Sequence, residues 1–209
     1  MRHVQFWRHR FNALGEHSVG PGDTKSEEEL ELHRQVFLSA LRPFLENLKG
    51  PVLDFGCGVG RWVMDLPRPY VGLDLTPEHI EVCRLKFGNK RDVEFHLSDK
   101  LETLPDKSFK SIFTLTVLQH IVEPDLRKEV LQQFQRMLSD DGVFLSVEWA
   151  PEQREYIWCT AVTKRDFARF FEISVVGEVI EDGRKSLVWL GKKRKYGFFA
   201  KLISMGFKD

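Results

Sequence analysis

Seven consecutive residues, Asp54-Phe55-Gly56-Cys57-Gly58-Val59-Gly60, combine a carboxylate with three glycines at alternate positions. Glycine lets the chain turn tightly, and it lets a ligand approach main-chain N–H groups with no Cβ in the way. The apolar run Val52 to Phe55 leads into this loop. A short helix is expected over Arg61 to Leu66, with its first N–H groups pointing at the ligand. Nicotinamide and flavin enzymes use a related loop with the fingerprint GxGxxG. The last glycine of that fingerprint is replaced here by Arg61. Asp54 also argues against a pyrophosphate, which it would repel, and suits a cationic group such as an amino acid ammonium. A second apolar run, Tyr70 to Leu75, carries Asp74 close to its end, where a carboxylate accepts from two ribose hydroxyls. The ligand so predicted has a sugar, an amino acid end and no phosphate.

The elements that position these residues are legible from apolar periodicity. Residues 1–23 mix aromatic, basic and Gly/Pro residues and predict irregular structure or a short helix followed by a loop. Thr24 or Ser26 can cap a helix whose apolar positions run from Leu30 to Leu48, until Gly50-Pro51 stops it. Strands are then expected at Val52 to Phe55, Tyr70 to Leu75, Val93 to Leu97, Phe109 to Leu115 and Gly142 to Val147. Helices are expected over Pro77 to Phe87, with Thr76 as cap, and over Pro124 to Leu138. The fifth strand is entered through a turn at Asp140-Asp141-Gly142. Phe171 to Ile180 and Ser186 to Gly191 flank Asp182-Gly183, a hairpin signal. The fold class expected is α/β: a seven-stranded, mostly parallel sheet with helices on both faces and a C-terminal antiparallel hairpin.

As a set, these segments resemble the class I S-adenosylmethionine-dependent methyltransferases. Val52 to Arg61 looks like the family's first motif, and Val71-Gly72-Leu73-Asp74-Leu75-Thr76-Pro77-Glu78 like its second. Ser98-Asp99 is similar to the position that contacts the adenine amino group. The segment from Thr114 through Leu115 and Gln119 to Ile121 resembles the one bordering the methionine end. Leu138 to Glu148 is similar to the family's turn and fifth strand, although Asp140-Asp141-Gly142 replaces the commoner Pro-Gly-Gly. The resemblance spans about residues 30–192 and implies S-adenosylmethionine as methyl donor. It implies donor contacts at Asp54, Gly56, Cys57, Gly58, Gly60, Asp74, Leu75, Ser98, Asp99, Thr114, Leu115 and Gln119. In related enzymes an aromatic and basic N-terminal segment covers the donor, which makes Trp7 and Arg10 candidates here. The alternative for Phe6 to Phe11 is an anchor on the sheet edge.

Four further readings remain open at this level. His120 could act as general base on the acceptor or form part of the donor pocket wall. Glu148, with Trp149, could bind a cationic or amine acceptor or lie idle at the rim. Cys57 reads as a small packing residue, since no basic group adjoins it in sequence. The basic run Lys192-Lys193-Arg194-Lys195 and the apolar residues after it could touch nucleic acid or anionic lipid, or form a solvated run and a docked helix.

Bulk composition narrows the partners. The 209 residues fit one domain of residues 24–192, with an N-terminal lid or anchor at 1–23 and a tail at 193–209. Thirty-one basic residues balance 31 acidic ones, so no global field gathers polyanions. Three scattered cysteines suggest neither a disulfide framework nor a zinc site, and no metal ligand set is expected. With no apolar run long enough to span a membrane and no secretory signal at the N-terminus, the expected compartment is the cytoplasm. The segment after the fourth strand lacks the Asn/Asp-Pro-Pro-aromatic pattern of exocyclic-amine methylation, and there is no Pro-Cys nucleophile. A small-molecule acceptor is therefore expected. The alternatives are a macromolecular acceptor, or a donor-binding sensor or scaffold without transferase activity.

Overall fold

Alternation of strands and helices builds a seven-stranded sheet in the computed structural model, which describes residues 2–20, 26–150, 158–181 and 183–194. β1 (Val52–Phe55), β2 (Tyr70–Asp74), β3 (Val93–Leu97), β4 (Phe109–Leu115) and β5 (Leu138–Trp149) are parallel. β6 (Phe171–Glu181) and β7 (Arg184–Lys193) form the closing hairpin, with β7 antiparallel to both β5 and β6. The order across the sheet is β3-β2-β1-β4-β5-β7-β6. That order reverses between β1 and β4, which opens a crevice beyond their carboxyl ends.

Side chains alternate between the two faces of each strand and so feed two cores. Val52, Tyr70 and Phe113 pack with α2 (Glu27–Leu45) and α3 (Pro77–Phe87) on one face. Leu53, Ile112 and Phe144 pack with α4 (Pro124–Met137) and α5 (Lys164–Ala168) on the other. By the same alternation Asp54 shares a face with Val52, and there it meets the Tyr70 hydroxyl. Ser26 caps α2 by accepting from Glu29 N at 3.1 Å, with three glutamates in the first turn. Thr24 lies outside the described residues.

The structure corrects four local expectations. The N-terminal segment forms α1 (Arg2–Leu14), a 13-residue helix followed by a 3-10 turn at Gly15–Val19, rather than a short helix or irregular chain. No helix forms over Arg61 to Leu66. The chain there makes tight turns, with Gly60 N donating to Cys57 O and Val63 N to Gly60 O. Only six residues separate Gly60 from Pro67, too few to repay helix nucleation, and Pro67 has no N–H to extend it. The 27–45 helix also ends at Leu45, before the expected Leu48, although Leu48 stays buried. Finally, Asp140-Asp141-Gly142 lies within β5 as a bulge. Leu138 pairs with Phe109 and Val143 with Ser111, so the residues between them loop out. Lys107 and Lys110 hold that bulge through Asp140 and Asp141, at 2.7 and 2.6 Å.

Candidate functional site

The glycine loop turns sharply at the mouth of β1. Gly56, Gly58 and Gly60 all adopt positive φ, at +78°, +54° and +81°. A Cβ on Gly56 would stand 2.3 Å from Val117 Cγ2, and one on Gly58 would stand 2.7 Å from Val19 Cγ1. Both glycines line a cavity of about 460 Å³ in the crevice. Gly60 does not line it. A Cβ there would meet Phe87 and Val63, so that glycine serves packing.

Asp74, at the end of β2, organises the loop from below. Its carboxylate accepts from Gly58 N (2.9 Å) and from Thr76 N (2.8 Å). It therefore fixes both the glycine loop and the entry to α3, where the N-cap residue Thr76 makes no side-chain cap. His79 completes the arrangement. Its Nδ1–H donates to Asp74 Oδ1 (3.1 Å), and its Nε2 lies 2.9 Å from the buried Ser18 hydroxyl. His79 lines the cavity and ties the N-terminal segment to its floor. The sequence signal that could have found it is its place in the first turn of α3, five residues after Asp74.

Asp54 is buried and accepts from the Tyr70 hydroxyl at 2.7 Å. Burial pushes its carboxyl up to about 7; the Tyr70 hydroxyl opposes the rise and the negative charge of Asp74 adds to it. Burial likewise raises the Cys57 thiol, whose sulfur packs beside Cys83 and is no nucleophile at neutral pH.

Of the other sequence-predicted residues, Cys57, Leu75, Ser98, Asp99, Leu115, His120 and Trp7 line this cavity. Thr114, Gln119, Arg10 and Glu148 do not. Thr114 is fully buried and donates to Ser146 Oγ at 2.8 Å. Gln119 accepts from Trp149 N at 2.8 Å and borders a second cavity. Arg10 donates to the carbonyls of Ser18 and Gly20 and faces that second cavity too.

Glu148 is neither an acceptor-binding group nor an idle rim residue. It is wholly buried, and it accepts from Leu118 N (3.1 Å) and Gln119 N (3.0 Å), pinning the segment after β4 to the end of β5. Burial raises its carboxyl to about 7, against the pull of those N–H groups and of Ser146. The fifth strand is expected from sequence to end at Val147, whereas β5 runs on to Trp149 and carries Glu148 into the interior.

The pinned segment begins with Thr116 at φ +55°, a left-handed conformation that is rare for a β-branched residue. Strain of this kind persists only where the surroundings impose it. Here Thr116 N donates to Val147 O at 2.7 Å, and the chain is thrown outward so that Thr116 and His120 border both cavities. The second cavity is about 400 Å³ and shares Trp7, Val19, Thr116 and His120 with the first. His120 Nδ1–H donates to Trp158 O at 3.0 Å, which leaves the ring's lone pair on Nε2. The His120 ring meets Trp7 edge-on at 5.1 Å.

Among the described residues no group of three or more His, Cys, Asp or Glu is placed to hold a metal, and no helix is long and apolar enough to cross a membrane. In the basic run, Lys193 ends β7, donates to Leu138 O at 3.2 Å and lies 3.7 Å from Asp140, so it is tied to the start of β5. Lys195 and the residues after it lie outside the described residues.

Residues 52–142 match the family model described as a methyltransferase domain. No curated protein matches the chain by sequence. Among solved structures, the chain is similar to DhpI in its complex with SAH, at 19% identity and a TM-score of 0.68, covering 93% of this chain and 96% of that one. It is similar to the PH0226 protein from Pyrococcus horikoshii OT3 at 17% identity and a TM-score of 0.62, covering 91% and 99%. A geranyl diphosphate C-methyltransferase from Streptomyces coelicolor A3(2) matches at 15% identity and a TM-score of 0.60, covering 92% and 97%. At these identities the structural likeness is one of fold. The methyltransferase-domain match over residues 52–142, and a fold shared with proteins solved with S-adenosylhomocysteine, are consistent with S-adenosylmethionine as the methyl donor.

The first cavity fits that donor. Its glycine floor has no room for a Cβ, and Asp54 offers a carboxylate to an ammonium. Arg61 Nε is buried beside the cavity with no hydrogen-bond partner among the described residues, a donor complementary to a carboxylate.

Proposed function

We propose that this chain transfers the methyl group of S-adenosylmethionine to a small-molecule acceptor held in the second cavity. The observation that carries this reading is the common wall of the two cavities at Thr116, His120 and Trp7. S-adenosylmethionine, when bound, supplies a methyl group on a sulfonium, ready for displacement by a nucleophile in line with the carbon–sulfur bond. The work left to the protein is alignment and exclusion of water. Asp54 holds the donor's ammonium, Asp74 its ribose hydroxyls, and Ser98 and Asp99 its base. Gly56 and Gly58 let the backbone close on it. α1 covers both cavities through Trp7, so the N-terminal segment acts as the lid. His120 takes the proton of a hydroxyl or amine acceptor at Nε2. His120 and Trp7 touch reacting groups in this scheme, whereas Glu148 is a positioning residue that acts through the segment carrying His120.

The second cavity supports a small acceptor rather than a polymer, because its volume of about 400 Å³ is that of a small-molecule site. Incubating the protein with methyl-labelled donor and a cell extract, then separating the extract by molecular class, tests the reading. Label is expected in the low-mass fraction. Label confined to RNA, DNA or protein would overturn the small-molecule acceptor. Donor binding without any transfer would favour the sensor or scaffold.

A further inference from the structure

The chemistry of the second cavity narrows the acceptor, and this inference rests on the reading that the cavity beside the donor holds it. Its walls are ring-rich. Phe6 stacks on Trp158 with centroids 6.0 Å apart and planes 16° from parallel, and Phe6 meets Trp7 edge-on at 5.2 Å. Ring walls of this kind take either a planar molecule or a cation, and the charges around the cavity decide between them.

Among the described residues Glu181 is the cavity's carboxylate, and it is already committed. Arg61 Nη2 donates to His33 Nδ1 at 2.8 Å, and His33 Nε2–H donates to Glu181 Oε2 at 2.9 Å. His33 is neutral in this relay, since burial and the nearby charges of Arg61 and Arg184 lower it to about 4. The positive charge of Arg61 thus sits one ring away from Glu181. Arg184, the first residue of β7, lines the cavity and is exposed, and it has no carboxylate within ion-pair distance among the described residues. Arg10 adds a second guanidinium, which donates to two main-chain carbonyls at 2.6 and 2.8 Å. Among the described residues around the cavity the guanidinium groups outnumber the carboxylate, so from these residues a cationic ligand meets net repulsion and an anionic one net attraction.

We propose that the second cavity binds a planar aromatic acceptor carrying an anionic group, with its ring packed against the wall formed by Phe6, Trp7 and Trp158 and the anion at Arg184.

The test is calorimetric titration of the full chain, first with S-adenosylhomocysteine alone and then with ring probes in its saturating presence. The probes are benzoate, 4-hydroxybenzoate and indole-3-acetate, their uncharged amides, cyclohexanecarboxylate as a non-planar anion, and tyramine as an aromatic cation. At least one aromatic carboxylate is expected to bind at least tenfold more tightly than its amide, than cyclohexanecarboxylate and than tyramine. Arg184→Ala should weaken that carboxylate at least fivefold and leave its amide and S-adenosylhomocysteine within twofold. Phe6→Ala should weaken carboxylate and amide alike. Tightest binding by tyramine, equal binding of acid and amide, or no probe binding while S-adenosylhomocysteine binds would each overturn the proposal and leave the donor site standing. Failure of S-adenosylhomocysteine itself to bind would instead remove the donor site, and the acceptor proposal with it.

Discussion

The two adjoining cavities are built in opposite ways. The donor side takes its floor from short neighbouring stretches of the parallel half of the sheet: the loop after β1, the end of β2 and the turn after β3. Its key contacts are main-chain geometry fixed by one carboxylate, with Asp74 holding Gly58 and Thr76. The second cavity, which we propose as the acceptor side, draws on residues from Phe6 to Ser186, gathered by α1, the segment after β4, the end of β5 and the β6–β7 hairpin. Its contacts are side chains. A backbone cradle leaves little room for variation, whereas a pocket of side chains brought from afar can be refitted to a new acceptor without disturbing the donor.

The strongest way to break that contrast is to fill the cradle. Gly56→Ala places a Cβ against the stiff Val117 side chain and forces a left-handed φ on alanine. Donor affinity should fall about a hundredfold, which is about 2.7 kcal/mol. Calorimetry should show this while circular dichroism still reports a folded chain. Retention of wild-type affinity would mean that the loop is not the cradle.

The next effect is a pH dependence confined to the donor side. Asp54 sits at about 7 without ligand, and only its ionised form pairs with an ammonium. Donor affinity should therefore drop as pH falls through 7, by about tenfold between pH 8 and pH 6. Asp54→Asn should bind weakly throughout and lose the slope. A flat profile in the wild type would remove Asp54 from the ammonium.

This asymmetry also governs what the sequence revealed. β1, β3, β4 and α3 begin and end at the residues expected, because each is an apolar run bounded by glycine, proline or a polar turn. Asp54, the glycines and Asp74 fall within 21 residues, so one local window carried the donor motif. Nothing local marks Phe6, Trp158 and Arg184 as neighbours, since only the closed sheet and the packed α1 bring them together. The same holds for Ser18 and His79, 61 residues apart, and for Glu148, whose role depends on N–H groups from another strand's exit. The misread turns have a simpler cause. Arg61 to Leu66 has helical spacing but not helical length, and Asp140 to Gly142 has the composition of a turn but loops out within a paired strand.

Smaller effects sharpen the contrast from the acceptor side. Glu148→Gln leaves at most one good acceptor for two main-chain N–H groups and should cost about 1–3 kcal/mol of stability. The folded Glu148 carboxyl, at about 7, lies above its ordinary value of 4.5. Its contribution is therefore fullest below that ordinary value and is lost as pH rises through 7. Thermal melts should show the wild type losing stability from pH 5 to pH 8 more steeply than the variant. Because Glu148 acts through Leu118 and Gln119, the turnover rate should fall more than donor affinity. An equal loss in both would make Glu148 a general support of the fold.

The smallest effect belongs to the latch between the two sides. Ser18→Ala removes one buried hydrogen bond to His79, worth about 1 kcal/mol. Hydrogen exchange should quicken over α1 and change little over β1 and β2. Uniform quickening would show that the N-terminal segment is not separately latched.

The central claim, that the loop after β1 together with Asp74 holds S-adenosylmethionine, is tested most directly by one calorimetric comparison. S-adenosylhomocysteine and NAD are titrated into the wild type and into Asp74→Asn. The expected result is one S-adenosylhomocysteine per chain at micromolar strength, at least tenfold weaker binding in the variant, and no heat with NAD. Binding of NAD in place of S-adenosylhomocysteine, or S-adenosylhomocysteine binding untouched by Asp74→Asn, would contradict it.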